Sequence, residues 1–219
     1  MLASVIFDFD GIVIDSETPE YESHRRIYER YGVTLTVDEW CGVIGTWSEG
    51  HDEKWFTRLC ERAVAAPGRD AYFEERRRLF EEIVPADPMR GVRELLEALR
   101  DADVPAAIAS SAPARWVAGA LDRLGISSFF AAVVTGDQVT HRKPAPDVYV
   151  TAAHRIGADP RESVAIEDSS TGIAAARAAG MKVVAIPHWL TERHDLSGAD
   201  LIVEHAGLLT LDRLERLVA

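Results

Sequence analysis

The stretch Ala3-Ser-Val-Ile-Phe7 runs straight into Asp8-Phe-Asp10-Gly11, an apolar segment that ends on two carboxylates and a glycine. A short run of this kind suits a strand covered on both faces. The C-terminal ends of such strands are where open α/β sheets bind ligands, so Asp8 and Asp10 stand at the default site. Working outward, five more runs read the same way: residues 104–110, 131–135, 164–166, 183–186 and 201–203. Pro105 cannot donate to a ladder, which puts it near the start of its strand. Helical patterns separate the runs at 92–100, 114–124, 148–156 and 172–179, and Gly125, Gly157 and Gly180 follow the last three. Glycine there suits the left-handed residue that closes a helix. The alternation predicts an α/β fold with a three-layer, Rossmann-like parallel sheet.

Residues 16–85 break the alternation. They hold helical patterns at 19–31 (ended by Gly32), 37–43 (ended near Gly45), 52–64 and 70–84, and no convincing strand. An all-helical insertion between the first strand and the next βα unit reads as a cap. The expected division is a catalytic core of residues 1–15 and 86–219 and a helical cap domain of residues 16–85 that carries substrate specificity. Within it, Glu74 to Glu82 reads as a mixed-charge helix face with i,i+4 pairs.

The 219 residues include 24 Lys+Arg and 36 Asp+Glu, a formal charge of −12. That balance opposes nucleic acid and anionic membrane surfaces, both of which recruit basic patches. No apolar run reaches the roughly 18–20 residues of a membrane helix, and the N-terminus lacks the basic flank of a secretory signal. Cys41 and Cys60 are too few for a disulfide framework and lack zinc-site spacing. They read as packing thiols on cap helices of a cytoplasmic protein. Only Lys54, Lys143 and Lys182 are lysines, so each stands out in an Arg-rich chain. The acid excess poses a question: how would this chain handle an anionic substrate?

Four features fall at strand C-termini or in the loop between two of them. Asp8 and Asp10, with Gly11 allowing a tight turn, suit a divalent cation and can supply a nucleophile and an acid/base. Ser110-Ser111 precedes a helix starting at Ala114, where hydroxyls and free amides can take an anion. Lys143 lies in His141-Arg-Lys-Pro-Ala-Pro-Asp147, whose prolines stiffen the approach to a helix that Asp147 can cap. Glu167-Asp168-Ser169-Ser170 ends the fourth strand, with Ser170 or Thr171 in the capping role. Each alone fits a solvated loop or a plain cap. Together they offer carboxylates for Mg²⁺, a hydroxyl and amides for phosphate, and a lysine point charge.

In this order the motifs resemble those of the haloacid dehalogenase-like superfamily of aspartate-nucleophile phosphohydrolases. The likeness covers the whole chain and is nearest to the helical-cap branch, which includes sugar-phosphate phosphatases and β-phosphoglucomutase. The resemblance implies a Mg²⁺-dependent phosphatase that acts, as a monomer, on a small phosphorylated metabolite. It implies Asp8 as the nucleophile that forms an aspartyl-phosphate, and Asp10 as the acid and then the base. Mg²⁺ would lie among the Asp8 carboxylate, the Asp10 carbonyl and the Glu167-Asp168 pair. Phosphate would meet Ser110, the Ser111 and Gly11 amides, and Lys143. True dehalogenases lack the second Asp, so dehalogenation is not expected.

Glu17 and Glu20 on the first cap helix, with Thr46-Trp47 after Gly45, are the expected substrate contacts. Mutases of the branch usually carry a His where this chain has Glu20, and an Arg where it has Thr46-Trp47. Both departures favour a phosphatase, with a phosphosugar mutase as the alternative. A non-catalytic phospho-receiver domain shares the acids, hydroxyl and lysine, but it is shorter and has no cap. A bound divalent cation would answer the question of charge.

Overall fold

The computed structural model describes residues 1–41, 51–192 and 194–219; Thr46 and Trp47 lie outside them. Among the described residues there are six strands: β1 (Ser4–Phe7), β2 (Ala106–Ala109), β3 (Phe130–Val134), β4 (Ser163–Glu167), β5 (Lys182–Ala185) and β6 (Leu201–Ile202). Each falls on one of the six apolar runs. They form one parallel sheet in the order β3-β2-β1-β4-β5-β6. Phe7 of β1 pairs with Ile108 of β2 on one side and Ile166 of β4 on the other. The chain therefore winds outward from β1 in one direction, returns, and winds outward in the other. The seam between β1 and β4 is a topological switch point, where crevices form.

Between β1 and β2 come α1 (Glu17–Arg30), α2 (Val37–Cys41), α3 (His51–Arg62), α4 (Arg69–Ile83) and α5 (Val92–Asp101). Helix α1 begins two residues earlier than its pattern predicts. Pro19 sits in the first turn, where a missing N–H forfeits no intrahelical bond. Later come α6 (Ala114–Leu124), α7 (Asp147–Arg155), α8 (Ser170–Ala178) and α9 (Leu211–Val218). Val5 and Phe7 pack with Leu95, Leu99, Leu121 and Leu214 of α5, α6 and α9. Ile6, pointing the other way, packs with Tyr149, Ala152, Ile173 and Ala176 of α7 and α8. Strand alternation thus feeds both faces of the sheet, giving three layers.

Helices α1–α4 bury a cluster of their own, including Tyr21, Tyr28, Trp40, Trp55, Leu59 and Tyr72. The connection after β5 reaches into it. Leu190 is fully buried there, and the Cys41 thiol donates to the Leu190 carbonyl at 3.0 Å. Trp189 Nε1 donates to Thr18 Oγ1 at 2.8 Å, and His188 Nε2 lies 3.2 Å from Asp15 Oδ1. This strap ties the helical layer to the sheet beside residues 15–18.

Four local expectations need correction. Asp147 does not cap α7; its carboxylate accepts the His141 amide at 3.2 Å and closes the preceding loop instead. The cap of α8 is Ser169, whose Oγ accepts from the Gly172 amide. Cys60 is exposed rather than packed. Helix α9, eight residues with one buried leucine, had no counterpart in the pattern. The i,i+4 pairing foreseen on α4 is present in Arg78–Glu82. No helix of the described residues is long and apolar enough to cross a membrane.

Candidate active site

The ends of β1 and β4 bring Asp8, Glu167 and Asp168 together, one carboxylate oxygen of each lying within 4.8 Å of the others. The Asp8 amide donates to the Ile166 carbonyl at 2.9 Å, so the two strands finish in register. Lys143, 135 positions away along the chain, donates to Asp8 Oδ1 at 2.5 Å. It also reaches Glu167 Oε1 at 2.6 Å. The Tyr149 hydroxyl donates to that same Glu167 oxygen at 2.6 Å, and its ring lies 4.8 Å from the ammonium. The other Glu167 oxygen accepts the Asp168 amide and the Ser169 hydroxyl, each at 3.2 Å. Glu167 is thereby saturated with donors. Asp168 is equally buried, but among the described residues only charges, and no hydrogen-bond donor, act on its carboxylate.

Three buried carboxylates face one ammonium. Burial pushes the Asp8 carboxyl up to about 7; Lys143 opposes this and the Glu167 charge adds to it. Burial, then the charges of Asp8 and Glu167, hold Asp168 well above the carboxylate range. Burial would lower Lys143, but Asp8 and Glu167 outweigh it and keep the ammonium charged. The cluster is hard, all-oxygen and short of positive charge, which fits a divalent cation such as Mg²⁺.

Asp10 is built differently. Its Oδ1 accepts the Ser16 hydroxyl at 2.6 Å and Trp116 Nε1 at 2.9 Å. Burial raises its carboxyl and these two bonds hold the rise back. Two acids two residues apart therefore occupy separate environments, one against an ammonium and one against neutral donors. Glu17, the first residue of α1, faces them both. Burial, then the charges of Asp10, Asp8 and Asp15, push its carboxyl up to about 8. Glu20 is instead engaged by Arg76 of α4.

The anion-binding groups differ in part from expectation. The Gly11 amide donates to the Ile14 carbonyl at 2.8 Å, so it is used within the turn rather than aimed at a ligand. Gly11 has φ +82°, and a Cβ there would stand 2.4 Å from Asp168 Oδ2. The glycine makes room for a carboxylate. Gly172 does the same for Glu167, whose Oε1 would lie 1.9 Å from a Cβ. Ser110 Oγ accepts the Ala112 amide at 2.9 Å. At the start of α6 the Ala114 amide is already bonded to the Asp137 carboxylate at 3.2 Å. That helix end is filled from within. Ser111 Oγ remains, buried and without a partner among the described residues.

Sequence reading missed Ser16, Trp116, Tyr149 and Gly172. Tyr149 carried a faint signal, six positions after Lys143 on the helix that the prolines introduce. Trp116 carried none, because its partner is 106 positions away.

A sequence profile described as haloacid dehalogenase-like hydrolase matches residues 5–186. A phosphorylated carbohydrates phosphatase of Thermotoga maritima is 31% identical over 217 residues, 96% of this chain and 98% of that protein. A beta-phosphoglucomutase of Bacillus subtilis is 28% identical over 97% of this chain and 94% of its own. A solved HAD family hydrolase from Deinococcus radiodurans R1, with bound phosphate and sodium, aligns with a TM-score of 0.77 at 25% identity. That alignment covers 99% of this chain and 97% of the other.

Proposed function

The chain belongs to the haloacid dehalogenase-like hydrolases, and on that premise we propose that it is a Mg²⁺-dependent phosphatase of a small phosphorylated carbohydrate. The observation that carries this reading is the separation of Asp8, against Lys143 and the carboxylate cluster, from Asp10, against Ser16 and Trp116. The likeness to a phosphorylated carbohydrates phosphatase supports the substrate class. Residues 16–85 act as the cap over the site, with Glu17 at the start of its first helix.

In this mechanism an Asp8 oxygen attacks phosphorus, and the P–O bond to the sugar breaks as the aspartyl-phosphate forms. Asp10 gives its proton to the departing alkoxide and then takes one from water, which displaces phosphate and restores the Asp8 carboxylate. Lys143 and the Ser110-Ser111 turn meet the transferring oxygens, where charge is spread in the transition state. Asp8, Asp168 and the Asp10 carbonyl, backed by Glu167, would hold Mg²⁺, which when bound neutralises phosphate charge as a Lewis acid.

A mutase reading has the Bacillus subtilis relative behind it. Against it, Glu20, which stands where mutases of the branch usually carry a His, is tied to Arg76. The test is a panel of phosphorylated sugars and polyols with and without Mg²⁺, followed by phosphate release. Release from several members, abolished by EDTA and restored by Mg²⁺, is expected. Exclusive conversion of a hexose 1-phosphate to its 6-phosphate would overturn the phosphatase reading.

A further inference from the structure

Among the described residues, both hydrogen bonds to the Asp10 carboxyl fall on the same oxygen, Oδ1: the Ser16 hydroxyl at 2.6 Å and the Trp116 indole N–H at 2.9 Å. An indole has one donor and no acceptor, so Trp116 spends its whole hydrogen-bonding capacity here. The ring is held from three sides. Phe9 stands edge-on at 6.5 Å, Phe80 of α4 edge-on at 5.4 Å, and the Arg123 guanidinium lies 5.9 Å from the ring centre. Such a donor is fixed in place by packing, whereas the Ser16 hydroxyl turns about a single bond. With Oδ1 doubly occupied, Oδ2 is the oxygen left to carry a proton towards a substrate.

We propose that Trp116 is a positioning residue for Asp10, selecting which carboxyl oxygen faces the leaving group. This rests on the reading of Asp10 as general acid. It also makes α4 part of the device, because Phe80 closes one edge of the indole. The helical layer thus touches the proton-transfer machinery through an aromatic contact and not only through substrate-facing side chains.

The test separates proton donation from general damage by comparing leaving groups. A sugar alkoxide needs a proton as it departs, whereas p-nitrophenolate does not. Trp116→Phe keeps an aromatic ring between Phe9 and Phe80 and removes the N–H. The value of kcat/KM, which reports steps through phosphoryl transfer, is expected to fall about ten- to a hundredfold for a hexose phosphate, the scale of a small misplacement. For p-nitrophenyl phosphate it should fall much less, changing the ratio of the two substrates about tenfold. Phe80→Ala should show the same split in weaker form. Equal losses for both substrates, or no loss for either, would overturn the proposal. Should Trp116→Phe not fold, β-(3-benzothienyl)alanine at position 116 keeps the shape without the donor and answers the same question. Asp10→Asn is the control for the underlying reading. If it shows no leaving-group dependence, the acid role of Asp10 fails; if it does and the position-116 variants do not, only the role of Trp116 fails.

Discussion

The carboxylate cluster at the ends of β1 and β4 and the interior of helices α1–α4 are both buried, yet they are built from opposite materials. In the cluster, Asp8, Glu167 and Asp168 crowd one lysine, and burial works against their charges. In the helical layer Trp40 stacks on Trp55 at 4.8 Å, with Tyr21, His24 and Tyr72 around them. The second arrangement stabilises by removing apolar and aromatic area from water. The first would be more stable with fewer charges. Folding keeps an imbalance of that kind where a ligand corrects it, and this is why perturbed carboxylates mark functional sites.

The contrast can be broken from either side. Asp8→Asn should have the largest effect, lowering phosphate release by about 10⁴-fold or more, because an amide cannot attack phosphorus. A residual rate within tenfold of the parent would remove Asp8 as nucleophile. Asp168→Asn should cost about 10²- to 10³-fold in rate, the scale of one preorganised electrostatic group. In calorimetry of the metal-free protein the same variant should melt higher than the parent, since an unpaired buried carboxylate is gone. It should also lose the rise in Tm that Mg²⁺ gives the parent by binding the folded state. An undiminished response to Mg²⁺ would place the cation elsewhere.

On the aromatic side, Leu190→Ala should cost about 2–4 kcal/mol in urea unfolding by leaving a cavity where the strap enters the helical layer. A loss below about 1 kcal/mol would show that the strap only rests on α1 and α2. The smallest effect sharpens the boundary between the regions. Glu17 is raised in the folded state from 4.5 to about 8. A raised group contributes stability in full below its unfolded value and loses it as pH climbs through its folded value. Metal-free protein should therefore melt progressively lower from about pH 5 to about pH 8, and Glu17→Gln should flatten that slope. Identical slopes in the two proteins would show that Glu17 is not buried beside Asp8 and Asp10.

The legible parts of this molecule were those governed by near neighbours. Six apolar runs became six strands because a strand covered on both faces needs little beyond its own composition and its bounding turns. Asp8, Lys143, Glu167 and Asp168 were legible for a related reason: each stands at a strand end or lies in a proline-stiffened loop, and strand ends converge in a parallel sheet. Several misreadings at the site came instead from partners far along the chain. Gly11 looked like an anion-binding amide, and its meaning depended on Asp168. The start of α6 looked free, and Asp137 had filled it. Ser16 and Trp116 gave no local hint that both would bond one oxygen of Asp10.

By itself the sequence determined the strands, the helical insertion and the short list of groups able to act on a phosphate ester. Those follow from side-chain periodicity, glycine and proline geometry, and chemical type, all of which act over a few residues. Only the tertiary structure decided which carboxylates meet the lysine, which is saturated with donors, and which has no donor among the described residues. It also decided that Asp10 stands apart from Asp8. These outcomes depend on burial and on hydrogen bonds between distant segments, and neither exists until the chain has closed around them.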